Sequence, residues 1–237
     1  MPHTQNLLLA SLSPGDLALL LPHLKLLRVE QRKVLFEAGD ELHTSYFPLT
    51  AIISLVVVLQ TGDTVESAMV GCDGVVSAAS ALDGKTALSR GVIQLSGDVM
   101  VCPASALKAA ALQSHTLLSV LLRHEQTLFA QAQQSTACMA NHTIESRLCR
   151  WLLRARDLAR SDTLLFTQEY LAEMLGVRRT SVTTVAHTLQ QAGMIQYARG
   201  KIHFLNVQAV QDTACECYEA VKTHHEMLLG HNRRPSS

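Results

Sequence analysis

Apolar positions recur with two different periods along this chain. Between Gln168 and Ala192 they follow helical spacing twice, first Tyr170, Leu171, Met174 and Leu175, then Val182, Val185, Ala186 and Leu189. Gly176 lies between the sets, where a tight turn wants a positive φ that glycine adopts at little steric cost. Ala172 is small where two steeply crossing helices approach closely. The pattern predicts a helix-turn-helix, although an ordinary helical hairpin with a solvated polar face fits the periodicity equally well.

The residues after the second helix favour the helix-turn-helix. Gly193 stops it, and Met194 to Phe204 reads as two short strands around a turn at Arg199-Gly200, which makes a wing. Arg178, Arg179, Thr180, Ser181, Thr183 and Thr184 open the second helix, where guanidinium and hydroxyl groups meet base edges and phosphates of duplex DNA. Arg199 and Lys201 would lie over the phosphate backbone, and Gln168, opening the first helix, would reach a phosphate as well.

The first half has strand-like texture. Lys33–Phe36, Ile52–Leu59, Ser67–Val70, Gly91–Leu95 and Asp98–Val101 are short β-rich runs, separated by Gly39-Asp40, Gly62-Asp63, Cys72-Asp73-Gly74, Asp83-Gly84 and Ser96-Gly97. Such spacing indicates an all-β barrel or roll. Ahead of it, Pro14 to Leu27 reads as a helix with Ser13 as N-cap and proline at the first helical position. Pro103-Ala104-Ser105 opens a helical region.

Gln113 to Ala140 is predicted as one long helix. Leu118, Leu122, Glu125, Phe129, Ala132, Thr136 and Met139 alternate by four and three, as a coiled-coil dimer seam does. Leu117, Leu121, His124 and Leu128 form a second stripe toward the roll. A helix merely packed on its own domain is the other reading. Thr143 to Ala159 predicts a further helix with Leu148, Trp151, Leu152 and Ala155 inward. The fold class is thus α+β, with a jelly-roll-like β-roll sensor domain over 1–112, a dimerisation helix over 113–141 and a winged helix-turn-helix domain over 142–237.

Bulk properties narrow this picture only a little. Hydrophobic content of 48% and charged content of 17% suit a folded chain. The longest apolar stretch, Ala51 to Leu59, reads as a buried strand and is too short to span a membrane, and with no basic n-region or cleavage signature near Met1 export is not expected. No membrane partner is expected, and the location is read as cytoplasmic. The six cysteines are read as reduced thiols, with Cys72 and Cys138 as possible oxidation points. The net charge of +0 does not advertise nucleic-acid binding, but its distribution is uneven. Twelve Lys+Arg stand against nine Asp+Glu from His142 onward, and eight against eleven before it, with Arg233 and Arg234 of the tail in the basic half. Cys215-Glu216-Cys217 with His224 and His225 offers soft ligands, yet on a helix its two thiols point about 200° apart, so no metal site is assigned. No nucleophile elbow, phosphate-binding loop or zinc-hydrolase motif is present, and no enzyme activity is expected.

A β-roll, a long helix and a C-terminal winged helix-turn-helix, in that order, resemble the Crp/Fnr superfamily of bacterial transcription regulators. The strongest local likeness is in LFEAGDELHTSYFPLTAIISLV and FTQEYLAEMLGVRRTSVTTVAHTLQQAGMIQYARGKIHF. The resemblance implies a homodimer that binds double-stranded DNA at a pseudo-palindromic site and works with RNA polymerase. It puts Arg179 on a guanine. Thr180 replaces a frequent glutamate and Thr184 a frequent second arginine, each a loss of about 1–3 kcal/mol of base discrimination. Cyclic-nucleotide-binding members carry a glycine-glutamate pair where this chain has Ser77-Ala78, and a serine after the arginine where it has Gly91. Gly71, Gly74, Ser89 and Arg90 remain as an effector-binding set, but a cyclic nucleotide is not expected. No cysteine precedes Cys72, which argues against an iron–sulfur cluster held from the N-terminus. His43 and His115 are not assigned to haem, and no cofactor is predicted. The competing function is a ligand-binding or redox-responsive module that acts through protein contacts.

Overall fold

A computed structural model describes residues 2–83 and 85–229 of the chain. Gly84 of the predicted Asp83-Gly84 turn and the tail arginines Arg233 and Arg234 lie outside them. Two short helices come first, α1 (Leu7–Ser11) and α2 (Pro14–Leu20), the second capped by the Ser13 hydroxyl accepting from the Asp16 amide at 3.1 Å. The helix predicted to run to Leu27 stops early. Pro22 has no amide hydrogen to bond the Ala18 carbonyl and carry the helix on, a 3₁₀ turn takes over (Leu21–His23), and the chain becomes β1 (Lys25–Val29). The roll continues through β2 (Val34–Phe36), β3 (Thr44–Pro48), β4 (Ile52–Val58), β5 (Thr64–Val70), β6 (Arg90–Leu95) and β7 (Gly97–Pro103). All pairings are antiparallel, in two sheets ordered β1-β7-β3 and β2-β6-β4-β5.

The apolar run from Ala51 is explained by burial on both faces of its sheet only as far as Val56; contrary to expectation, Val57, Val58 and Leu59 are exposed. Ile53, Val70 and Ile93 face inward and fill the roll with Val29, Ala51, Val76 and Val99. Ile52, Val56, Met69 and Val92 face outward and join the core of the C-terminal half, whose members include Trp151, Leu152, Tyr170 and Leu171. One continuous core thus links the roll to the helices beyond it.

Those helices are α3 (Ala104–Gln113), α4 (His115–Asn141), capped by Ser114, and α5 (Ile144–Ala159), capped by Thr143. The face of α4 turned to the roll carries Leu117, Leu121, His124, Gln131, Ser135 and Cys138, all buried. Gln131 caps the open edge of β5, accepting from the Met69 amide at 2.5 Å. Then come β8 (Thr163–Leu165), α6 (Gln168–Leu175), α7 (Arg179–Gln191), β9 (Ile195–Ala198), β10 (Lys201–Phe204), α8 (Val207–Thr213) and α9 (Cys217–Leu229). The wing is three-stranded, β8-β10-β9, and α9 returns to pack along α4. Among the described residues no helix is long and apolar enough to cross a membrane.

Two buried carboxylates join the roll to α5 and behave oppositely. Burial pushes Asp73 up, but Arg154 at 2.6 Å, His225 and the Gly71 amide outweigh it and hold the carboxyl at about 2. Glu66 is pushed by burial to about 7, and the Ser54 hydroxyl and the charges of Arg150 and Arg154 only partly offset this. The Ser54 oxygen lies 2.5 Å from Glu66 Oε2 and 2.7 Å from Gln94 Oε1. A hydroxyl owns one hydrogen, so either the Gln94 amide or a protonated Glu66 supplies the second for that pair of contacts.

Candidate nucleic-acid interface

The two helices α6 and α7 meet at Gly176, whose φ of +62° is the left-handed conformation the sequence requires there. Its amide reaches the Glu173 carbonyl at 3.2 Å, and the Val177 amide reaches Ala172 at 3.0 Å, closing the end of α6. Thr167 caps its start, accepting from the Tyr170 amide at 3.2 Å. Tyr170, Leu171, Met174 and Leu175 are buried, as are Val182, Ala186 and Leu189 on α7. The buried stripes leave the opposite faces to solvent.

At the start of α7, Arg178 is the N-cap and makes no side-chain cap, so no side chain of its own satisfies the first-turn amides. Arg178, Arg179, Thr180, Thr183 and Thr184 are exposed and Ser181 is half-buried. The Thr183 hydroxyl lies 2.7 Å from Gln168 Oε1 and 3.1 Å from the Arg179 carbonyl, and its contact with Gln168 ties the two helices together. The Thr184 hydroxyl donates to the Thr180 carbonyl at 3.1 Å, so its methyl and its lone pairs are what it offers a ligand.

The wing stands beside this helix start. Its turn has φ of +52° at Arg199 and +74° at Gly200, the pair of positive values a two-residue hairpin with the right twist requires. Tyr197 fixes the wing in place, donating its hydroxyl to the Phe166 carbonyl at 2.8 Å while its amide donates to Gln190 Oε1 at 2.6 Å. Burial pushes its phenol up to about 12, with the charge of Arg179 opposing. Gln168, Arg179 and Arg199 thereby line one open cleft together with Thr167 and Tyr197, and Lys201 is exposed on β10. The expected site did not include Thr167, Gln190 or Tyr197. Thr167, immediately before the apolar run, carries a legible capping signal; the other two act through the fold.

The unit is also docked on the roll. Arg178 and Arg179 line a crevice between α6 and the β4–β5 hairpin, shared with Asp63, Val65 and Arg90. Arg147, buried on α5, donates to the Leu175 carbonyl at the end of α6.

The effector set lies in several surroundings. Gly71 makes room for Leu158, whose side chain would lie 2.8 Å from an added Cβ, and Gly74 for His124 at 2.3 Å. Arg90 instead pairs with Glu37 at 2.7 Å and faces α6, while Ser89 precedes it at the start of β6. The Cys215-Glu216-Cys217 segment is not helical throughout. It bridges the joint between α8 and α9, and only Cys217 opens a helix.

Residues 146–213 match the family described as Crp-like helix-turn-helix domain. Over about four fifths of its length the chain has the fold of solved Crp/Fnr structures. A CRP/FNR-family transcriptional regulator from Thermus thermophilus is 21% identical, with a TM-score of 0.66 over 80% of this chain and 98% of that one. FixK2 from Bradyrhizobium japonicum is 14% identical, with a TM-score of 0.69 over 81% and 98%. The c-di-GMP responsive global regulator CLP of Xanthomonas campestris is 15% identical, with a TM-score of 0.66 over 81% and 99%. Comparison with curated proteins gave no match.

The fold is that of Crp/Fnr structures, and its C-terminal half carries a Crp-like helix-turn-helix domain. In this chain the DNA-binding unit is a Crp-like helix-turn-helix domain with its wing.

Proposed function

We propose that the protein is a homodimeric, sequence-specific regulator whose two recognition helices enter successive major grooves, about 34 Å apart, on a pseudo-palindromic operator. The observation that carries the reading is the gathering of Arg178, Arg179, Thr180, Thr183 and Thr184 at the exposed start of α7, beside the wing with Arg199 and Lys201. Arg179, Thr180, Ser181 and Thr184 face bases; Arg178, Thr183, Arg199, Lys201 and Gln168 hold phosphates. With its hydroxyl hydrogen engaged on α7, Thr184 suits a thymine methyl or an amino donor of adenine or cytosine.

Dimerisation through α4 is supported by the part of the predicted seam it leaves uncovered, Leu122, Phe129 and Thr136, while Leu118, Glu125, Ala132 and Met139 are half-buried within the chain itself. Leu122 and Phe129 are 51% and 64% exposed, whereas the opposite stripe is buried against the roll. The roll acts as sensor, and its contact with the turn of the helix-turn-helix gives it a direct hold on the DNA-binding unit. RNA polymerase is the expected protein partner and the cytoplasm the place of action, in keeping with six free cysteines. A small effector in the roll is a coarser expectation, since the c-di-GMP responsive relative shares this fold.

Selection of binding sites from random DNA yields the operator, and two variants then separate the roles. Arg179→Ala relaxes preference at one position of each half-site and costs about 1–3 kcal/mol on the matched site. Lys201→Ala weakens matched and scrambled sites alike and lowers the salt slope by about 0.9 for each phosphate it no longer neutralises. Equal losses for both variants on both kinds of site would refute this division of labour, and a selection that enriches nothing would refute DNA reading itself.

A further inference from the structure

Behind the DNA-binding unit, three thiols and one imidazole converge from two distant segments. Cys138 lies in the last turn of α4, and His142 is its C-cap, four residues on, with its amide on the Cys138 carbonyl. Cys215 and Cys217 flank Glu216 in the joint between α8 and α9. The Sγ atoms of Cys138 and Cys215 are 3.5 Å apart, Cys217 Sγ is 3.5 Å from His142 Nδ1, and all four ligand atoms lie within 4.8 Å of one another. A tetrahedral zinc ion with bonds of ~2.0–2.3 Å would need ligand separations of about 3.5–3.8 Å.

The surroundings complete the arrangement. Glu216 Oε1 lies 3.2 Å from His142 Nε2 and fixes the tautomer that directs the Nδ1 lone pair toward the thiols. Gln134 Nε2 donates to Cys217 Sγ at 3.0 Å. The three thiols are buried, while the half-buried imidazole gives an ion a way in.

We infer that Cys138, His142, Cys215 and Cys217 form a Zn²⁺ site, a closed S₃N tetrahedron with Glu216 and Gln134 as its outer support. The donor set selects a borderline-soft divalent ion, and four protein ligands with no open position make the site structural. Zinc enters as three thiols give up their protons to solvent, with no change of oxidation state. Bound there, it staples the end of α4 to the joint that starts α9. Arg147, whose guanidinium lies in the field of Cys138 and Cys215, also holds the end of α6, so the staple adjoins the helix-turn-helix.

The test uses the full chain, reduced and stripped with a chelator, then titrated with Co²⁺ as a spectroscopic stand-in. One equivalent per chain should produce a thiolate-to-metal charge-transfer band with the visible bands of tetrahedral cobalt, and Zn²⁺ should bleach both. Cys215→Ser combined with Cys217→Ser removes the charge-transfer band. Glu216→Gln, at an exposed position, leaves the fold intact and weakens Zn²⁺ about ten- to a hundredfold in competition with a chromophoric chelator. That variant decides the matter if the serine variant fails to fold. Absence of the charge-transfer band in the unmodified chain overturns the site. So does a band that survives the double serine variant, an unchanged affinity in Glu216→Gln, or a metal-free Cys138–Cys215 disulfide in the freshly isolated protein.

Discussion

Glu66 makes the stability of the fold depend on pH. Its carboxyl is held near 7 in the folded chain against an ordinary value of 4.5, so the folded state binds a proton that the unfolded state releases. The stability this confers is complete below the unfolded value and is lost as pH rises through about 7. The shift corresponds to at most about 3 kcal/mol. Glu66→Gln keeps a donor to Ser54 and removes the titration. Urea unfolding should therefore show the variant gaining on the parent from pH 5 to pH 8, and parallel pH profiles for the two proteins would rule this coupling out. Nothing in the sequence marks this residue. Glu66 sits in an ordinary strand, and only the packing of α5 against the sheet takes it out of water.

Element by element, the chain is legible where one face meets water and obscure where context decides. The helix-turn-helix, its wing and the long helix follow from periodicity and turn chemistry, and Gly176, Arg199 and Gly200 carry the backbone conformations their positions demand. Strand β1 is hidden because Leu26 and Leu27 are 55% and 40% exposed, so apolarity there reports neither a core face nor a helix. Pro22 is the available signal against a helix reaching Leu27. The Cys215–Cys217 joint is obscure for a related reason: the break between α8 and α9 has no glycine or proline to announce it. Tertiary contact also reaches the turn at Gly176, where an added Cβ would lie 2.8 Å from Val65 of β5. Gly176→Ala should cost about 2 kcal/mol or more, part from the positive φ and part from this clash. Adding Val65→Ala should recover the second part only. A double-mutant cycle without coupling would show that the hairpin and the turn are not in contact in solution.

On the scale of the whole molecule, the two faces of α4 have separate tasks. One is buried against the roll and α9; the other presents Leu122 and Phe129 to solvent, an arrangement that suits a second copy of the chain. Leu122→Lys with Phe129→Lys should leave the fold intact and yield a monomer in sedimentation equilibrium, with DNA binding reduced to single half-sites. A double variant that still sediments as a dimer would remove α4 from the interface.

The core that runs unbroken from Ile52 and Met69 through Leu152 to Leu171 limits how any signal can travel. Close-packed side chains offer no intermediate resting places, so the DNA-binding unit cannot swivel away from the roll by small degrees without opening a gap. Departure means stripping that surface and covering it again in another seating. A stimulus that acts through this joint therefore changes the share of molecules in each seating and does not tilt any one molecule part of the way.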